Sequence, residues 1–142
     1  METRKKRILV VDDVRETLLA LKIRLEYAGY EVITAEDGEM GLKLARDVRP
    51  DLIILDIMLP KIDGFSVCRL LKFDEEYENI PIIMLTAKGA AKDRETGQKV
   101  GADVYLTKPY NSKELMQYVE NLTSGIHVGP SLNKILHSRK DN

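Results

Sequence analysis

The chain has 142 residues, of which 44% are apolar and 32% charged, and its formal net charge is -1. That is the size and composition of one compact domain with a real core, and the balanced charge gives no overall pull toward nucleic acid or an anionic membrane. The single cysteine, Cys68, excludes an internal disulfide, and no apolar run approaches the roughly 20 residues needed to span a bilayer.

In chain order, a basic start (residues 1–7, a solvated approach) leads into Ile8-Leu9-Val10-Val11. This run is too short for a signal peptide, so a cytoplasmic location is expected. It is continuous rather than alternating, so it reads as a strand covered on both faces. Val14, Leu18, Leu21 and Leu25 then recur at helical spacing, with Gly29 as the stop. Val32-Ile33 reads as an edge strand, and Gly41, Leu44, Ala45 and Val48 as a second helical stripe ended by Pro50. Leu52-Ile53-Ile54-Leu55 is another doubly covered strand. Val67, Leu70 and Leu71 mark a third helix, in which Cys68 is a packing residue, and residues 80–85 form a further buried strand.

Residues 88–100 are helix-like in composition but offer only Ala90, Ala91, Gly97 and Val100 for packing, which predicts a weakly anchored and mobile helix. Val104-Tyr105-Leu106 reads as a second edge strand. Leu115, Tyr118, Val119 and Leu122 mark a last helix, opened by Asn111-Ser112 and Glu114. Five βα units in succession imply a three-layer α/β sandwich with right-handed crossovers. The parallel order 2-1-3-4-5 is the common solution for such a pattern and is taken from that class. After Gly125 the pattern fades, so residues 1–124 are expected to be the domain. Residues 125–142, with the solvated His127 and His137, are expected to be a tail or the start of a linker.

In such sheets ligands bind outside the carboxyl ends of the strands. There the sequence places Asp12-Asp13, Asp56, Thr86-Ala87 and Thr107-Lys108-Pro109. Three neighbouring carboxylates repel one another unless a cation intervenes, and a hard divalent ion with oxygen ligands answers that need. With such an ion bound, and Lys108 nearby, the rim could take an anion. Asp56, behind the central strand, is the candidate nucleophile toward a phosphoryl donor, and the Thr86 hydroxyl is a candidate donor to the transferred group. Each residue also has an ordinary reading: Asp12 or Asp13 as a helix cap, Asp56 as a loop acid, Thr86 as a strand end, Lys108 as a solvated lysine, Tyr105 as an edge tyrosine with its hydroxyl exposed.

Taken together, Ile8-Leu9-Val10-Val11-Asp12-Asp13, Leu55-Asp56-Ile57-Met58-Leu59-Pro60 with Asp63-Gly64, Leu85-Thr86-Ala87, Gly101-Ala102-Asp103 and Tyr105-Leu106-Thr107-Lys108-Pro109 resemble the receiver domain of two-component response regulators over about residues 6–123. The resemblance implies a flavodoxin-like (βα)5 fold and a set of roles. Asp56 matches the phosphoacceptor. Asp13 matches the direct metal ligand, Asp12 an acid acting through water, and Met58 the residue whose backbone carbonyl completes the metal shell. Thr86 matches the switch hydroxyl, Ala87 the small residue keeping access open, Lys108 the lysine that pairs with a phosphoryl oxygen, and Tyr105 the aromatic that turns inward on switching. Lys108-Pro109 matches a cis peptide.

The implied cofactor is Mg2+, with Mn2+ as a substitute. The implied partners are a sensor histidine kinase or phosphotransfer protein and an unspecified protein target. These act through the face made by the 88–100 helix, the fifth strand and the last helix. Direct nucleic-acid and membrane binding are not expected of this domain, and phosphorylation-dependent dimerisation stays open. The domain would be a signalling receiver catalysing only its own phosphorylation and dephosphorylation.

Three rivals are weighed. An aspartate-nucleophile phosphatase wants a second Asp where Met58 stands, and Met58 cannot transfer a proton. A flavin-mononucleotide module wants a Ser/Thr/Gly loop where Asp12-Asp13 would repel phosphate. A degenerate receiver that only docks partners requires none of the acids, Thr86 or Lys108.

Overall fold

The computed structural model describes residues 4–86, 95, 96 and 98–124. The elements are β1 (Arg7–Val11), α1 (Arg15–Tyr27), β2 (Glu31–Ala35), α2 (Gly38–Val48), β3 (Leu52–Asp56), α3 (Gly64–Lys72), β4 (Ile82–Thr86), β5 (Val104–Thr107) and α4 (Ser112–Thr123). All strand pairs are parallel and the sheet order is β2-β1-β3-β4-β5, as expected for the flavodoxin-like class. The expected 88–100 helix and the 125–142 tail lie largely or wholly outside the described residues, and so does Ala87.

The continuous apolar runs divide their side chains between two cores. Leu9, Val11, Ile53, Leu55, Ile82, Met84 and Tyr105 face one cluster with Leu42, Ala45, Val67, Cys68 and Leu71 of α2 and α3. Ile8, Val10, Leu52, Ile54, Ile83, Leu85, Val104 and Leu106 face the other, with Leu18, Leu21 and Leu25 of α1 and Leu115, Tyr118 and Val119 of α4. Period-two geometry sends neighbours to opposite faces, so a strand between two helical layers must be apolar at every position. Each such side chain contributes about 1.5–3 kcal/mol of transfer free energy.

Three expectations about helix faces need correction. Val14 is 46% exposed and serves as the N-cap position of α1; its N–H is taken by Asp12 Oδ1 at 2.9 Å. Leu70 is 45% exposed, and α3 buries Gly64, Val67, Cys68 and Leu71 instead. On α2 the expected Gly41 and Ala45 are buried and Leu44, half-buried, packs against the core, but the stripe also takes in Gly38 and Leu42, while Val48 is only half-buried. The helix starts α2, α3 and α4 are capped by Asp37, Asp63 and Asn111, whose side chains accept from Met40, Ser66 and Glu114 N–H. Among the described residues no helix is long and apolar enough to cross a membrane.

Candidate functional site

The register of the sheet builds the site. Val11 pairs with Leu55 across β1 and β3, so the next residues, Asp12 and Asp56, end adjacent strands side by side. One further ladder bond, Asp12 N–H to Ala35 O at 3.1 Å, holds Asp12 in line with β1. On the other side Thr86 pairs with Thr107, and Lys108 N–H donates to Thr86 O at 2.6 Å. Three strand ends thus bring Asp12, Asp13, Asp56 and Lys108 to one rim. The Lys108–Pro109 peptide is cis.

Asp12, Asp13 and Asp56 each offer a carboxylate oxygen, and these oxygens lie within 4.8 Å of one another. Asp12 and Asp56 are buried while Asp13 is exposed, so the cluster opens to solvent on the Asp13 side. Lys108 Nζ reaches Asp56 Oδ2 at 2.9 Å and Asp12 Oδ2 at 3.4 Å. Burial pushes the Asp12 carboxyl above its ordinary value, against the Val14 N–H and the Lys108 charge, while the Asp56 charge adds to the rise. Burial works to lower Lys108, but its hydrogen bond to Asp56 and the charges of Asp56 and Asp12 outweigh that and raise it. Three oxygen donors, two of them taken from water, with Lys108 the one cation paired to them among the described residues, make a donor set compatible with a hard divalent ion.

Other expected site residues lie around this centre. Thr86 ends β4 and is buried. Met58 is 71% exposed, and its N–H donates to Asp56 Oδ1 at 3.3 Å. Tyr105 is only 1% exposed, so the exposed-hydroxyl reading does not hold. Its ring already lies inside, in the core shared with α2 and α3. Tyr110 was missed. It sits half-buried near Lys108 and Asp12, with its hydroxyl pushed up by burial; its place directly after Lys108-Pro109 was the available signal. The loop behind Asp56 also held features no residue spacing announces: Lys61 at φ 71, and Gly64, where a Cβ would fall 2.1 Å from Asp56 O.

Residues 8–120 match the family model of the response regulator receiver domain. The chain belongs to this family. Among its relatives are the DNA-binding dual master transcriptional regulator RpaA of Synechocystis, 48% identical over 116 residues (82% of this chain, 48% of the relative), and the alkaline phosphatase synthesis transcriptional regulatory protein PhoP of Bacillus subtilis, 49% identical over 110 residues (78% of this chain, 45% of the relative). The chain spans about half the length of the curated relatives it matches. Among solved structures, the chemotaxis response regulator CheY4 of Vibrio cholerae superimposes with a TM-score of 0.77 at 33% identity, covering 84% of this chain and 99% of that one. The receiver is thus a module of two-component signalling, and its acid cluster sits on the strand ends where its fold class binds ligands.

Proposed function

We propose that this receiver takes a phosphoryl group from phosphohistidine of a sensor histidine kinase or phosphotransfer protein onto Asp56, and switches partner binding as a result. The single observation carrying this reading is the convergence of three carboxylates within 4.8 Å beside the Lys108 ammonium. In the transfer the Asp56 carboxylate attacks phosphorus, a P–O bond forms, the P–N bond breaks and the imidazole leaves. A Mg2+ ion held by Asp13, Asp56 and the Met58 carbonyl, with Asp12 acting through water, would neutralise charge on the phosphoryl oxygens. Lys108 exchanges its carboxylate contacts for a phosphoryl oxygen, and the Thr86 hydroxyl donates to another. Ala87 leaves room for the donor.

Signal leaves through Thr86, which ends β4 just ahead of the 88–100 segment in the sequence, and through Tyr105. Phosphorylation shifts the balance between two packings of the face formed by that segment, β5 and α4. Because Tyr105 is already inside here, its part is to be held inward rather than to travel. Residues 1–124 form the receiver and 125–142 a tail or linker. Relatives named as transcriptional regulators support control of transcription as the eventual output, reached through protein contacts of this domain.

The test is incubation with acetyl phosphate and Mg2+ followed by intact-mass measurement. One added phosphoryl mass that disappears in Asp56→Asn is the expected result; a gain surviving that substitution places the acceptor elsewhere. No uptake at all would favour the docking-only receiver.

A further inference from the structure

We propose that Gly38, in the first turn of α2, is a positioning residue for the Asp56 site, a role that rests on the phosphoacceptor reading above. Its N–H donates to Pro60 O at 3.1 Å. A Cβ at position 38 would lie 1.7 Å from Ile62 O and 2.6 Å from the Ile62 carbonyl carbon. These are backbone atoms, so the loop itself would have to retreat. The preceding Asp37 caps α2 through Met40 N–H at 2.7 Å and turns its other oxygen toward Lys61 Nζ at 3.7 Å. Three successive loop residues, Pro60, Lys61 and Ile62, therefore meet the Asp37–Gly38 turn.

The same loop is fastened at its other end beneath Asp56. Gly64 N–H donates to Ile57 O at 2.8 Å, and Gly64 lies so close under Asp56 that a Cβ would overlap its carbonyl oxygen. Between the two fastenings, Met58 N–H reaches Asp56 Oδ1 at 3.3 Å. Helix α2 also presses on β1: a Cβ at Gly41 would meet the Val11 methyls at 2.9 and 3.0 Å, and Val11 directly precedes Asp12. The helix is thus a spacer between the strand that carries Asp12 and the loop that follows Asp56. The missing side chain at position 38 lets that loop close onto the Asp56 carboxylate.

The test uses the full chain and Mg2+ alone, with binding and the Met58 amide followed by NMR and folding by thermal melts. Gly38→Ala is expected to weaken Mg2+ binding about tenfold, as supporting residues of metal ligands do, and to displace the metal-free Met58 amide resonance. Gly29→Ala serves as the stability control. It forces an alanine to φ +100 with nothing within 4 Å, so it lowers the melting temperature and leaves Mg2+ affinity unchanged. Asp37→Ala, which frays the turn without inserting an atom, weakens Mg2+ binding in the same direction. Asp37→Asn, which keeps the cap acceptor and drops only the charge, stays near wild type. A folded Gly38→Ala with wild-type affinity and Met58 resonance overturns the role. So does an Asp37→Asn that matches Asp37→Ala, since charge alone would then explain both. If Gly38→Ala fails to fold, the Asp37 pair decides. Wild type that binds no Mg2+ overturns the phosphoacceptor reading and this role with it; wild type that binds Mg2+ beside an equally tight Gly38→Ala overturns this role alone.

Discussion

Lys108 Nζ stands 2.9 Å from Asp56 Oδ2 and 3.4 Å from Asp12 Oδ2, so one ammonium holds two buried carboxylates together across two strand ends. In that position it competes with any cation for the same oxygens. Lys108→Met is therefore expected to split two properties that usually move together. Mg2+ affinity rises, because the vacated rim is more negative, while phosphoryl uptake falls about 100-fold for want of a donor to the transferred group. The metal-free protein loses about 1–2 kcal/mol, a buried-pair penalty reduced for the partial exposure of the lysine. Calorimetric Mg2+ titration beside acetyl phosphate kinetics checks the split; weaker Mg2+ binding in the variant would refute the competition.

The burial of Asp12 makes stability and metal affinity run oppositely with pH. Its carboxyl is raised above the ordinary 3.8 by burial, so the folded protein keeps the proton longer than the unfolded chain does. The Asp12 contribution to metal-free stability is then full below that unfolded value and is lost as pH climbs through it to the raised folded value. Over the same window Mg2+ affinity increases, because the ion no longer has to displace a proton. On the alkaline side, Lys108 is raised above 10.5. Its contribution is full below that value and is lost as pH rises through the folded one. Thermal melts across pH, with EDTA and with Mg2+, give both trends, and Asp12→Asn is expected to remove the acid-side fall.

What the sequence makes legible follows from how local each cause is. Strand β3 could be read directly because a strand covered on both faces has no polar position to spare: Leu52 to Leu55 are all at most 1% exposed. The acid rim was legible for a related reason, since a strand end and a parallel sheet together fix where Asp12, Asp56 and Lys108 must come out. Helix faces were harder. Helical spacing accepts Val14 or Leu70 as readily as Leu18 or Leu71, and only the sheet decides which of them turns inward. Close backbone approaches were not legible at all. Gly38 looks like any glycine opening a helix until Ile62, distant in sequence, is placed against it.

Lys72 illustrates the same point and carries the last prediction. It ends α3 with its side chain only 10% exposed. Its ammonium meets Asp103 Oδ2 at 2.7 Å, Ile80 O at 2.7 Å and Glu78 O at 3.1 Å, one acceptor for each of its three protons. Asp103 in turn accepts Ile82 N–H at 2.8 Å, and the lysine stem packs on Gly101, which holds φ +90. The network ties the end of α3 to the starts of β4 and β5, on the edge of the sheet away from the acids. Lys72→Met keeps the stem but removes the cation from Asp103, which retains the Ile82 N–H, and takes the ammonium from two carbonyls, so it is expected to cost about 3 kcal/mol in urea unfolding. Lys43→Met, which breaks an exposed pair with Asp47 on α2, should cost less than about 0.5 kcal/mol. Phosphoryl uptake by folded Lys72→Met should match wild type, because the network supports the sheet from the opposite edge. A slower uptake at equal folded fraction would show that the two edges are coupled through β4 and β5.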